Sequence, residues 1–350
     1  MSRMNEIKEY IKTIKSRFDL GKIEKNLDEL KELNVLVVGD TIIDYYLFVN
    51  PKGRAMKDPI LSVEYVNEEV YPGGVLAVAN HISDFVKEVK LVTLIGDRNS
   101  MIDFINSSLS KNVKVKMFLK ENSPTTIKKR IIDNYRRNKL FKIEYTMDRP
   151  ILQELTEQIL RYLEEELPKY NLVVVSDFGH GFINDEIRRK LEEKSNFLAL
   201  NSQLNSANIG YNYFNLYKGF DFVSMNTDEL RLPLQMRFDD VDSAISEARN
   251  RFQMDRFLVT LGNKGSVYVH KGVFFNSPAL IGSVKDVVGA GDALFAIASL
   301  FVYMEADNDL IPFIANCAGG IAANTIGNKE SITRDKLLDF IKKLYENGMG

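Results

Sequence analysis

Asp292 closes the run Lys285-Asp286-Val287-Val288-Gly289-Ala290-Gly291-Asp292, and twelve uncharged residues follow it, Ala293 to Met304. An apolar run of that length reads as a buried helix. A Gly-x-Gly turn opening onto a helix leaves the first backbone N–H groups without intrahelical partners, and the positive end of the helix dipole adds to their pull on anions. Phosphate oxygens suit such a site. A carboxylate beside it completes the needs of phosphoryl transfer to a hydroxyl: a base for the proton and donors for the moving charge. The same four residues would also serve as a glycine turn and an aspartate capping a core helix. What stands elsewhere in the chain has to separate the two.

The elements that would position this chemistry are short apolar strands ending in polar residues. Val35 to Val38 ends in Gly39-Asp40, with Asp44 shortly after. Leu172 to Val175 ends in Ser176-Asp177-Phe178-Gly179-His180-Gly181, and Phe197 to Leu200 in Asn201-Ser202-Gln203. Phe222 to Met225 leads into Asn226-Thr227-Asp228-Glu229, which alone reads as a helix N-cap with an acid three residues on. Phe257 to Leu261 runs to Gly262 and Gly265, and a hairpin around Lys271-Gly272 follows. Helical patterns alternate with these strands at 151–167, 239–252, 313–328 and 335–347. Another helix opens at Pro72-Gly73-Gly74 and runs to about Val86. That rhythm predicts an α/β chain with a mostly parallel sheet, whose ligands bind beyond the carboxyl ends of the strands.

Several stretches break the rhythm. Tyr45 to Val70 is rich in β-branched and aromatic residues, as are Val113 to Phe118, Thr125 to Ile132 and Leu140 to Tyr145. Together they predict a small second sheet. Alternation puts Lys128 and Arg130 on one face of it, where two cations suit an anionic substrate or simply face water. Met1 to Leu33 is a charged helical arm with Ile7, Tyr10, Ile11, Ile14 and Phe18 at helical spacing. Packing on the domain or on a partner subunit is its expected role.

Bulk composition excludes several classes. The 350 residues carry a net charge of −2, with 27% charged and 45% hydrophobic residues, which gives no general pull toward nucleic acid or anionic membrane. Cys317 is the single cysteine, so no internal disulfide forms, as suits a reducing cytoplasm. His81, His180 and His270 lack metal-ligand spacing. No uncharged run approaches the ~20 residues that span a bilayer. The charged N-terminus does not read as a secretory signal. No Gly-x-x-x-x-Gly-Lys-Ser/Thr loop and no His-Glu-x-x-His occurs, and no Gly-x-Gly-x-x-Gly follows Val38.

Taken in order, Gly39-Asp40 with Asp44, Pro72-Gly73-Gly74, Asn-x-x-Glu at Asn226 to Glu229, Thr-x-Gly-x-x-Gly at Thr260 to Gly265, and Asp-x-x-Gly-Ala-Gly-Asp at Asp286 to Asp292 resemble the ribokinase-like (PfkB) carbohydrate kinases. The resemblance runs from about Leu33 to Leu344. The lid-type strands place it nearest the heptose-phosphate kinases, the kinase half of bifunctional ADP-heptose synthases. It implies a three-layer αβα sandwich with a mostly parallel central sheet, one kinase domain at 34–350 behind the arm at 1–33. A small β lid would come from about 45–70 and 113–146.

Further implications concern residues. Asp292 would be the general base, with the Gly289, Ala290 and Gly291 amides as an anion hole. ATP would lie against Asn226, Glu229, Thr260, Gly262, Gly265 and, beside the adenine, Asn316. Glu229 would help to hold Mg²⁺, largely through water, and a monovalent cation is a further candidate. Asp44, Gly73, Gly74, Lys128, Arg130 and Asp177 would contact a sugar or sugar phosphate. An exposed lid edge needs a cover, so a homodimer through the lid is expected, with Tyr45, Tyr46, Phe48 and Val63 as its apolar surface. The chain departs from the pattern where Ala77 replaces an Asn, His180 a Lys, and Asn201-Ser202-Gln203 an Asp-Pro-Lys. Those departures leave open a non-catalytic sugar- or nucleotide-binding protein on the same fold.

Overall fold

The computed structural model describes residues 3–206, 208–281 and 284–348. The arm forms α1 (Arg3–Arg17) and α2 (Leu20–Glu29), the latter capped by the Asp19 side chain, which accepts from Lys22 N. Ile7, Ile11, Ile14, Phe18, Ile23 and Leu27 lie on one apolar stripe and are buried in the main core, so the arm belongs to the domain.

β1 (Asn34–Arg54) is longer than the sequence predicts. Its first half lies in the central sheet, and it continues without a break into the second sheet. Thr41 to Asp44 already pair with the end of β2 (Leu61–Gly74), which leaves no loop between the two parts. α3 (Val75–Ser83) follows, then β3 (Glu88–Arg98), α4 (Ile102–Ser108) and β4 (Val113–Pro124). β4 corrects the lid boundary expected at 113, because it pairs in parallel with β3 as an edge of the central sheet. A half-covered edge strand and a lid strand alternate alike, and only the pairing tells them apart.

The lid is completed by β5 (Ile127–Asp133) and β6 (Lys139–Tyr145). Then come α5 (Gln153–Glu166), β7 (Leu172–Asp177), α6 (Asp185–Lys194), β8 (Leu198–Ser202), β9 (Phe222–Asn226), α7 (Thr227–Leu234) and α8 (Val241–Phe252). β10 (Arg256–Thr260), β11 (Ser266–His270) and β12 (Val273–Ser277) precede α9 (Ala290–Tyr303), α10 (Leu310–Ala323) and α11 (Arg334–Asn347). α10 starts earlier than expected because Pro312 sits in its first turn, where its missing N–H costs nothing.

The central sheet runs β4-β3-β1-β7-β8-β9-β10-β11-β12, parallel as far as β10, with the last two strands antiparallel. Val35 and Val37 pack into one apolar layer with the arm, α3, α9, α10 and α11. Leu36 and Val38 pack into the other with α5 to α8. Burial on both faces explains the unbroken apolar run, and the result is a three-layer ribokinase-like α/β fold.

The lid has the order β2-β1-β5-β6. Under it Tyr46, Phe48, Tyr71 and Ile132 form a separate small cluster. Tyr46 and Phe48 are thus interior, which corrects the expectation that they form the outer lid surface. Alternation names two faces of a strand but not the covered one. The large exposed apolar residues on the lid strands are Leu61, Val63, Tyr65, Val66, Phe141, Ile143 and Tyr145. No described helix is long and apolar enough to cross a membrane.

Candidate active site

The strand order reverses between β1 and β7, so the carboxyl ends of these strands open a crevice. A cavity of about 320 Å³ occupies it, with Asp44, Lys128 and Arg130 on the lid side and Gln203, Glu229 and Asp292 on the domain side. A second cavity of about 550 Å³ is mostly apolar, walled by Leu280, Ile281, Val284, Leu294 and Ala323, with Asn316 at its rim. Thr260, Val287 and Gly291 line both. The two cavities therefore meet at the start of α9.

Gly289 caps that helix in the left-handed region at φ 82°. A Cβ there would lie 1.9 Å from Asn328 Oδ1, so glycine is required twice over. Gly291 has nothing within 4 Å of an added Cβ, and its bare edge faces the junction. The Ala290 amide is bonded to Val287 O at 3.3 Å, which removes it from the expected anion hole. Among the described residues the Gly289, Gly291 and Asp292 amides have no carbonyl partner and remain available to an anion.

Among the described residues the Asp292 side chain accepts from no backbone amide. Its Oδ1 accepts from Gln203 Nε2 at 2.6 Å. Burial pushes its pKa up to about 7, with Asp44 and Glu229 adding to the rise and the Gln203 hydrogen bond and Lys128 opposing it. A carboxyl poised near neutrality in a cleft is suited to proton transfer. Glu229 is also pushed up to about 7, chiefly by burial, against the pull of backbone amides. It closes a capping box with Asn226: Glu229 Oε2 accepts from Asn226 N at 2.8 Å, and Asn226 Oδ1 from Glu229 N at 2.9 Å. Glu229 Oε1 accepts from Leu204 N at 3.2 Å.

Asp44 is ion-paired with Arg130 Nη1, and Asn328 Nδ2 lies 3.5 Å from its other oxygen. A Cβ on Gly73 would come within 2.3 Å of that oxygen, so this backbone approach also needs glycine. Lys128 is buried with its ammonium 5.4 Å from the Phe178 ring and has no ion pair among the described residues. Burial lowers its pKa, which Asp44 and Glu144 partly offset.

The structure thus brings Asp44, Gly74, Lys128, Arg130, Asn226, Glu229, Thr260, Gly289, Gly291 and Asp292 to one cavity. Gly262, Gly265 and Asn316 line the other. Asn316 Nδ2 is already bound to Ser277 O at 2.9 Å and Pro278 O at 3.1 Å, so it shapes that cavity's wall. Asp177 is not brought to the site. Its carboxylate turns into the domain, accepting from Gly179 N and from Tyr217 OH, both at 2.9 Å, and burial, with Asp40 nearby, raises its pKa. His180 likewise faces Asp148, at 2.9 Å, and not the cavity.

Sequence reasoning missed Gln203, Asn328 and Asp286. Asp286 joins the lid to the glycine turn before α9, accepting from Tyr46 OH at 2.9 Å, Lys139 Nζ at 2.6 Å, Gly327 N at 3.2 Å and Val288 N at 3.2 Å. Its signal was its place at the head of the Gly-Ala-Gly-Asp motif. Gln203 was visible as an amide at a strand end.

The sequence model of the pfkB family of carbohydrate kinases matches residues 32–326. The chain belongs to this family. As a pfkB carbohydrate kinase it is similar to the bifunctional protein HldE of Helicobacter pylori (strain Shi470), 25% identical over 298 residues, which covers 84% of this chain and 63% of that protein. HldE of Aliarcobacter butzleri (strain RM4018) is 24% identical over 324 residues, covering 91% of the chain and 66% of that protein. The chain therefore spans under two thirds of the length of the first of these relatives. Among solved structures, phosphofructokinase-2 from Escherichia coli in complex with potassium superposes with a TM-score of 0.69 at 15% identity, covering 90% of this chain and 98% of that one. Ribokinase from Thermotoga maritima gives 0.64 at 17% identity, covering 89% and 99%. These two share the fold, and the family implies use of ATP.

Proposed function

We propose that this carbohydrate kinase transfers the γ-phosphoryl group of ATP to a hydroxyl of a sugar phosphate, with Asp292 as general base. The observation that carries the reading is the junction. The carboxyl of Asp292 stands where a polar cavity meets an apolar one beneath open backbone amides. The apolar cavity suits an adenine ring, and the space open beside Gly291 suits phosphate oxygens. Asp292 takes the proton of the attacking hydroxyl, and the amides at the start of α9 hold the charge on the transferred group.

Among the described residues no group of three or more His, Cys, Asp or Glu side chains could hold a metal, and both Glu229 oxygens are engaged by backbone amides. That fits Mg²⁺ held chiefly by phosphates and water, with Glu229 outside its inner ligands. When bound, it neutralises charge on the nucleotide.

Lys128 supports an anionic acceptor, since burying a cation without an ion pair at a ligand cavity is costly unless an anion meets it there, and Arg130, paired with Asp44, lines the same cavity. A heptose-phosphate-like sugar is the acceptor that the similarity to HldE favours. An ATPase assay across a panel of sugar phosphates tests this reading. Lys128→Ala should weaken sugar-phosphate binding by roughly tenfold to a hundredfold, the worth of one charged hydrogen bond, and leave ATP binding nearly unchanged. Equal use of the unphosphorylated sugar by wild type and variant would sink the idea.

The exposed lid residues Tyr65, Phe141, Ile143 and Tyr145 support a homodimer through the lid. Tyr65→Asp should shift the protein toward monomer at micromolar concentration. Light scattering that finds a monomer already in the wild type, unaffected by Tyr65→Asp, would overturn the dimer.

A further inference from the structure

Gln203 lies at the carboxyl end of β8, and its backbone is clamped on both sides. Gln203 N donates to Asp177 O at 2.8 Å, and Gln203 O accepts from Asn212 Nδ2 at 3.2 Å. Its side chain is ordered by a relay whose direction can be deduced. Ser224 O is a carbonyl and can only accept, so the neighbour 2.9 Å away must be Asn201 Nδ2. Asn201 Oδ1 then faces Gln203 at 2.7 Å and requires a donor there, so Gln203 must present Nε2 to it. The same Nε2 stands 2.6 Å from Asp292 Oδ1. Both of its hydrogens are then in use, one on Asn201 and one on Asp292.

From this geometry we infer that Gln203 is the positioning residue of the base: it holds Asp292 Oδ1 and leaves Oδ2 to receive the proton of the acceptor hydroxyl. The inference rests on Asp292 being the base. Oδ2 has no hydrogen-bond partner among the described residues, and a proton placed there leaves the bond from Gln203 to Oδ1 intact. The proton moves from the hydroxyl oxygen to Oδ2 as that oxygen bonds to phosphorus, and nothing else changes charge on this side. Other charges face the carboxyl. Asp44 from β1 and Glu229 from α7 favour the protonated form, and Lys128 from β5 favours the ionised form. None of them donates a hydrogen bond to it. Gln203 is a neutral amide, so an uncharged donor does the work.

Two substitutions move the base in opposite directions, which a loss of folding cannot do. Gln203→Met keeps the bulk and removes the donor, and Gln203→Lys supplies a cation. The 350-residue chain is labelled with ¹³Cγ-aspartate, and the Asp292 resonance is assigned by its absence in Asp292→Asn. Its titration is followed without substrate, beside the pH profile of kcat/KM. In Gln203→Met the titration and the acid limb of the profile should both rise by about one to two pKa units, the worth of a charged hydrogen bond. In Gln203→Lys both should fall. A titration unmoved in Gln203→Met, or moved in the same direction by both substitutions, overturns the inference. A titration that moves as expected while Asp292→Asn keeps its rate leaves the orientation standing and removes the base reading instead.

Discussion

Asp292→Asn lowers kcat by about 10²–10⁴-fold, the usual worth of a general base, and makes the protein more stable at pH 8. The rate falls because an amide cannot take the hydroxyl proton. Packing survives, since the asparagine oxygen can still accept from Gln203 Nε2. The stability gain has a definite sign. Asp292 titrates at about 7 in the fold against an ordinary 3.8, so the folded protein retains a proton that the unfolded chain has lost. Stability associated with that proton is fully present below pH 4 and is lost as pH rises through 7. A neutral side chain escapes the loss, by up to about 4 kcal/mol at pH 8, and gains nothing below pH 4. Thermal unfolding and kcat on the same sample at both pH values check this together. If Asp292 merely stabilised the helix start, asparagine would do so equally well and the rate would hardly change.

Asp44→Ala costs about 3 kcal/mol of stability and abolishes productive sugar binding. The carboxylate is the ion-pair partner of Arg130, whose side chain is only 13% exposed, and it also lies 3.5 Å from Asn328 Nδ2. Removing one member of a buried pair leaves the other charge uncompensated, which typically costs 3–5 kcal/mol. The lower end applies here because the cavity admits water to Arg130. Adding Arg130→Met to Asp44→Ala should recover most of the stability and none of the activity, since the strain is the orphaned charge and the lost function is the ligand contact. Urea unfolding of the single and double variants measures the recovery. A single variant as stable as the wild type would show that the pair contributes nothing.

Much of this protein was legible in its sequence, and what was legible is local. The glycine turn at Gly289 to Asp292 precedes an uncharged helix, and the glycine at 289 is dictated by a positive φ. The Asn226 to Glu229 cap closes within a few residues, and so does the hairpin at Lys271-Gly272. Continuous apolar runs such as Val35 to Val38 required burial on both faces, and hence a parallel sheet between helical layers. Contacts between distant segments were decided by the tertiary structure. Alternation in Val113 to Phe118 fits a lid strand and an edge strand alike, and pairing with β3 made it an edge. The same two-residue period did not reveal that Tyr46 and Phe48 face inward. Asp177 stands at a strand end like Asn201 and Asn226, yet Tyr217 and Asn212 turn it into the domain. Gln203 meets Asp292 across 89 residues of chain. A side chain's type and its neighbours along the chain set what it can bond. Which partner reaches it depends on strand order and on loops that arrive from elsewhere, and no local pattern encodes that.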